Sequence, residues 1–153
     1  MPKRIKLCLL SSAGGHLTEL MQLESVYRKW PHFFVTFRRE DSANILQGES
    51  AYFIKDPKRN PVKLAINMAQ SLRIALRERP AVIITTGAGV AIPLCIFGKL
   101  LGAKVVFIES FCRIREKSLA GRLLYPIADL FLVQWEELSE AYGGKALYMG
   151  AVL

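Results

Sequence analysis

At 153 residues the chain is long enough to bury a substantial core and too short for two full domains. Its 52% hydrophobic and 22% charged residues are those of an ordinary globular protein. A net charge of +8 points to an anionic partner, whether nucleic acid, a membrane surface or a phosphorylated ligand, unless it serves solubility alone.

Taken in chain order, the apolar run at residues 5–10 predicts a buried strand. The small-residue turn Ser11-Ser12-Ala13-Gly14-Gly15-His16 leads from it into helical spacing over residues 17–29. Strands follow at 33–37 and 51–54, with a short helix at 41–47 between them, and a long helix covers 61–79. A fourth strand at 81–85 passes through Thr85-Thr86-Gly87-Ala88-Gly89 into a helix over 90–101. Strands at 104–108, 130–133 and 146–149 and helices at 118–128 and 136–142 complete the alternation. Most strands are continuous apolar runs, as expected where helices cover both faces of a sheet. The pattern predicts one α/β domain, a Rossmann-like doubly wound and mainly parallel sheet, with ligands outside the carboxyl ends of the strands. No internal repeat, low-complexity stretch or long linker interrupts it.

Two helices stand apart. The one at 61–79 carries apolar residues at helical spacing, and its basic residues, with Lys55, Lys58 and Arg59 before it, predict a cationic outer face for anionic headgroups or for solvent. The one at 90–101 is apolar nearly all round, which calls for burial or for contact with a partner or lipid. The longest apolar stretch, 87–101, is broken by Pro93 and Lys99 and falls short of the roughly 20 residues a membrane span needs. Met1-Pro2-Lys3-Arg4 is basic, but the apolar run after it is too short for a signal peptide. Cys8, Cys95 and Cys112 lack C-x-x-C spacing, so neither a zinc site nor a disulfide framework is expected, and a reduced, cytoplasmic setting fits.

The predicted fold gathers several loops at the strand ends. The first supplies Gly14, Gly15 and His16, the fourth Thr86, Gly87 and Gly89, the fifth Glu109, Ser110 and Arg113, and the sixth Gln134-Trp135. Adjacent glycines let the backbone approach a ligand, and a helix start offers unpaired N–H groups and a positive dipole end to an anion. The same helix start disfavours imidazolium, which leaves His16 able to act as a base. Glu109, after a buried strand, is either a second acid–base group or a partner for Arg113. His32 lies at a strand entrance on the opposite edge and reads as structural. The set matches acid–base chemistry beside a phosphate. The rival is an NADP site: Arg38 and Arg39 after the second strand would suit an adenosine 2′-phosphate, although the first turn lacks G-x-G-x-x-G spacing.

Four motifs in this order carry a resemblance over nearly the whole chain. They are Ser11 to His16, Thr85 to Gly89 with Pro93, Glu109-Ser110 with Arg113, and Leu124-Tyr125-Pro126-Ile127-Ala128-Asp129 running to Val133-Gln134-Trp135. The chain resembles the oligosaccharide-biosynthesis family that includes the membrane-anchoring subunit of the dolichol-linked UDP-N-acetylglucosamine transferase and bacterial polysaccharide proteins of PssD and CpsF type. It is more distantly similar to the amino-terminal half of MurG. The resemblance implies that residues 1–153 form the acceptor-side half of a GT-B glycosyltransferase, in a heterodimer whose other subunit holds the UDP-sugar. It implies a lipid-linked pyrophosphate acceptor and peripheral attachment on the cytoplasmic face of a membrane, since the amino-terminal membrane helix of the eukaryotic members is missing. No cofactor, metal or nucleic acid is expected, and the chain stops about where a one-chain GT-B enzyme crosses into its second domain. By position, His16 or Glu109 would be the base, and Ser12, Gly14, Gly15, Thr86, Gly87, Gly89, Ser110 and Arg113 would hold phosphate. A non-catalytic scaffold that recruits the transferase subunit to the membrane is the alternative.

Overall fold

Continuous apolar runs make the strands of a computed structural model that describes residues 4–152; Met1-Pro2-Lys3, the start of the basic opening, and Leu153 lie outside the described residues. The strands are β1 (Leu7–Ser11), β2 (His32–Thr36), β3 (Ala51–Phe53), β4 (Val82–Gly87), β5 (Lys104–Ile108), β6 (Leu130–Val133) and β7 (Ala146–Tyr148). They form one sheet in the order β3-β2-β1-β4-β5-β6-β7, and every neighbouring pair is parallel. The helices are α1 (Gly15–Met21), α2 (Glu24–Tyr27), α3 (Glu40–Ile45), α4 (Pro61–Glu78), α5 (Ile92–Leu100), α6 (Leu119–Leu124) and α7 (Glu136–Tyr142).

Because side chains alternate across a strand, the sheet divides the core into two layers. On one face Cys8, Leu10, Phe33, Val35, Ile83, Val105, Phe107 and Phe131 pack with Ile74 of α4, Leu94 of α5, Leu124 of α6 and Leu138 of α7. On the other, Leu7, Leu9, Phe34, Ile84 and Ile108 pack with Leu17 and Leu20 of α1, Tyr27 of α2 and Leu46 beyond α3. Each fully buried Leu or Phe contributes about 1.5–3 kcal/mol, so these two layers are the main hold on the fold. On the second face β5 and β6 leave Val106 and Leu132 half-buried, and Leu130 and Leu147 beside them are exposed.

β1 and β4 extend further at their carboxyl ends than periodicity predicts, and this shapes the site. β1 runs on to Ser11 and β4 to Gly87, with a register shift between Leu10 and Ser11 that sets Ser11 opposite Gly87. The predicted helix over 17–29 is two helices. The N–H groups of Gln22 and Leu23 close on carbonyls three residues back, at 3.2 and 3.1 Å, which tightens and ends α1; Val26 then bonds to Leu23 O at 2.9 Å to start α2. The helix predicted to reach Ala128 stops at Leu124. Pro126 brings no N–H to continue it, and Ile127 and Ala128 both close on Leu124 O, at 3.1 and 2.9 Å. The helix predicted from Val90 opens with a 3-10 turn, Gly89–Ala91, before α5 begins.

α4 overturns a second expectation. Asn60 caps it, its Oδ1 accepting from Val62 N at 2.9 Å and Lys63 N at 3.1 Å. Its inward row is Asn67, Ser71, Ile74 and Ala75. Asn67 Nδ2 donates to the carbonyls of Lys55 at 2.8 Å and Val90 at 3.3 Å, and Ser71 Oγ donates to Asn67 Oδ1 at 3.0 Å. The polar row faces in because it satisfies these carbonyls. The outer face is therefore mainly apolar rather than cationic: Val62, Leu64, Ile66, Met68, Leu72 and Leu76 are exposed, with Arg73 and Arg77 among them.

Candidate functional site

Chain connections diverge between β1 and β4, and a sheet wound in two directions opens a crevice there, beyond the carboxyl ends of the strands. A cavity of about 500 Å³ occupies that place. Gly15, His16, Thr86, Gly87, Gly89, Glu109, Ser110 and Arg113, all predicted from sequence, line it. Ser12 and Gly14 do not. Ser12 lies beneath the loop, where its N–H donates to Gly87 O at 3.1 Å. Gly14 forms the bend that admits α1, with φ +87°, a conformation that favours glycine.

The first and fourth loops are tied together. Thr86 Oγ1 donates to His16 O at 2.7 Å, alongside the Ser12 contact to Gly87. His16 is half-buried, and its Nδ1 is shielded from solvent without a hydrogen-bond partner. Gly15 and His16 sit in the first turn of α1, whose N–H groups have no carbonyl within the helix to bond.

Glu109 is 1% exposed, and its carboxylate is saturated. Oε2 accepts from Ser118 N at 3.2 Å, Ser118 Oγ at 2.8 Å and the Tyr142 hydroxyl at 2.5 Å, and Oε1 from Ser110 N at 3.1 Å. Burial, reinforced by that bond to Glu109, pushes the Tyr142 hydroxyl well above the usual tyrosine range. The pairing of Glu109 with Arg113 weighed from sequence is not formed: among the described residues Arg113 makes no ion pair, and it is exposed at the cavity wall.

A second buried carboxylate, Glu19, escaped the sequence reading. It is 5% exposed and accepts from Ser110 Oγ at 3.1 Å, Phe111 N at 3.2 Å and Gln134 Nε2 at 3.0 Å. Gln134 Nε2 also donates to Glu109 O at 3.0 Å. The signal was available, since Glu19 stands three residues after His16 and so on the same side of α1. Together Glu19 and Glu109 pin the loop from Ser110 to Ser118 that forms one wall. Ala88, Cys112, Ser118, Leu119 and Ala120 complete the lining and were not among the candidate site residues. Among the described residues no group of three or more His, Cys, Asp or Glu gathers to hold a metal ion.

A seven-stranded parallel sheet of this order, with its cleft at the switch point, is a doubly wound Rossmann-like domain of the GT-B kind. MurG of Acinetobacter baumannii superposes with a TM-score of 0.77 at 14% identity, over 96% of this chain and 46% of that one. UDP-N-acetylglucosamine 2-epimerase of Rickettsia bellii follows with a TM-score of 0.74 at 10% identity, over 97% of this chain and 45% of that one. The chain thus spans less than half of each of these solved structures, and the likeness is one of fold. By sequence the chain belongs to the family of Alg14-like oligosaccharide biosynthesis proteins, which matches residues 55–152. UDP-N-acetylglucosamine transferase subunit ALG14 of Candida albicans is 31% identical, over 94% of this chain and 76% of that protein. The human protein of the same name is 26% identical, over 97% and 83%. Among the described residues no helix is long and apolar enough to cross a membrane.

Proposed function

We propose that the chain is the acceptor-side subunit of a two-component glycosyltransferase. It works with a donor-binding partner to move N-acetylglucosamine, or a related hexose, from a UDP-sugar to a polyprenyl-diphosphate-linked acceptor at a membrane surface. One observation carries the reading. Of the carboxylates and imidazole lining the cleft, both carboxylates are saturated, while His16 keeps a nitrogen without a partner.

In this reading the acceptor hydroxyl gives its proton to His16 as its oxygen bonds to the anomeric carbon of the sugar. The bond from that carbon to the UDP oxygen breaks, and UDP leaves with the electron pair. The N–H groups of Gly15 and His16, the loop from Thr86 to Gly89 and Arg113 hold the acceptor diphosphate. Ser12, Gly14 and Ser110 shape the loops behind them, and Glu109 positions the wall rather than taking the proton. The reading assigns no metal or cofactor to this chain, and the UDP-sugar belongs to the partner. The names of the relatives as subunits support a partnered enzyme. The exposed apolar outer face of α4 supports work at a lipid surface.

The test is sugar transfer from UDP-N-acetylglucosamine to a polyprenyl-diphosphate-linked acceptor by the chain reconstituted with a donor-binding subunit. His16→Ala should lower kcat by roughly 10²–10⁴-fold without moving the melting temperature. Full activity in His16→Ala would overturn the base assignment and favour the scaffold.

A further inference from the structure

A second cavity, of about 550 Å³, lies at the carboxyl ends of β2 and β3, and its lining shares no residue with the His16 cleft. Arg38, Arg39, Lys55, Lys58 and Lys63 line it, against the single carboxylate of Asp56. Arg39 pairs with Asp41 at 3.4 Å, and the Arg38 guanidinium lies 4.5 Å over the Phe53 ring. Among the described residues Arg38, Lys55, Lys58 and Lys63 form no ion pair. Cations gathered in excess of counter-charge repel one another, and the repulsion is relieved when an anion enters.

The wall is held in place. Lys55 N donates to Gln70 Oε1 at 2.7 Å, Lys55 O accepts from Asn67, and Asn60 N closes on Pro57 O at 2.8 Å. Lys58 and Arg59 both take left-handed backbone, with φ 41° and 57°, which side chains other than glycine adopt at an energetic cost. Two strained, cationic residues in succession therefore stand where α4 begins. From the same point runs the outward row of α4, with Val62, Ile66, Leu72 and Leu76 exposed and Arg73 and Arg77 among them.

We propose that this cavity binds the headgroup phosphate of an anionic membrane lipid. A lipid sets phosphate next to hydrocarbon, and the protein sets unpaired cations next to an apolar helix face. Free phosphate or a nucleotide would leave that face uncovered. The site rests on the membrane-surface reading above and gives it an address separate from the catalytic cleft.

The experiment is co-sedimentation of the full chain with phosphatidylcholine vesicles, with and without phosphatidylglycerol. It compares wild type, Lys55→Gln/Lys63→Gln, and Lys104→Gln as a charge control at the amino-terminal start of β5, away from the cavity. Wild type should favour the anionic vesicles, and inorganic phosphate should compete. Each cavity lysine removed should weaken partitioning roughly fivefold, while Lys104→Gln stays close to wild type. Equal binding by the double variant and Lys104→Gln overturns the headgroup site alone. Phosphate that raises the wild-type melting temperature, with vesicle binding equal in all variants, makes the cavity a free-phosphate site and also overturns it. Wild type that sediments with no vesicle overturns the membrane reading and the site with it.

Discussion

Replacing Gly121 by alanine should loosen the wall of the cleft. A Cβ at that position would overlap the Tyr142 hydroxyl and stand 2.5 Å from Glu109 Oε2 and 3.0 Å from Ser118 Oγ. Tyr142 and Ser118 supply the hydrogen bonds to that carboxylate oxygen. If Tyr142 swings away, the buried carboxylate is short of a donor, which costs about 1–3 kcal/mol. If α6 shifts instead, overpacking costs about 1–3 kcal/mol. Either response costs about 1–3 kcal/mol, which is large against the 5–15 kcal/mol that holds a typical domain. It corresponds to a fall in Tm of roughly 2–12 °C for a chain of this size. Thermal unfolding followed by circular dichroism measures it. Gly144→Ala is the control, because nothing stands within 4 Å of its Cβ position. Removing the hydroxyl with Tyr142→Phe should make the alanine milder, so that the two changes are less than additive. A Gly121→Ala protein that melts with wild type, or that loses as much when Tyr142→Phe is already present, refutes the overlap.

Two further outcomes follow from the buried and paired groups. Thiol labelling of the native protein should modify Cys112 alone, since burial pushes the Cys95 thiol up to about 12 and the Cys8 thiol well above its usual range. Native labelling of a second thiol as fast as in denaturant would contradict this. The Lys99 ammonium, with the Val105 N–H, holds the Asp129 carboxyl below the usual aspartate range, at 2.7 and 2.8 Å. A lowered value stabilises the fold fully above the ordinary aspartate pKa of about 3.9, and the effect is lost as pH falls through the folded value. Asp129→Asn should therefore lower the urea midpoint equally at pH 6 and 7, with the gap to wild type narrowing as pH falls below the ordinary aspartate pKa. A gap that persists in acid removes the carboxylate as its cause.

The strands were legible because each is a short apolar run between turn residues, and strand ends that converge bring Gly15, His16, Thr86, Gly87 and Glu109 together by topology alone. Spacing along the chain does not reveal which row of a helix faces inward. In α4 the answer turned on Asn67 and Ser71 meeting the carbonyls of Lys55 and Val90, contacts set by the fold and not by periodicity. The partners of Glu109 were hidden for the same reason, since its donor Tyr142 lies 33 residues further on. The break after Met21 hangs on which carbonyls two N–H groups choose, a local choice that Leu17, Leu20 and Tyr27 decide by all being buried.

The interior position of β1, between β2 and β4, bears on how the chain assembles. Its neighbour β2 arrives early in synthesis, but its other neighbour, β4, pairs Leu7 with Val82 across about 75 residues of chain. Until β4 emerges, an apolar strand edge stays open, and a nascent chain in that state is prone to wrong pairing. The loops that meet at Gly87 and His16 acquire their positions only when this long-range pair closes. The cleft therefore does not exist in a partly folded chain, and a ligand that settles there recognises completed folding.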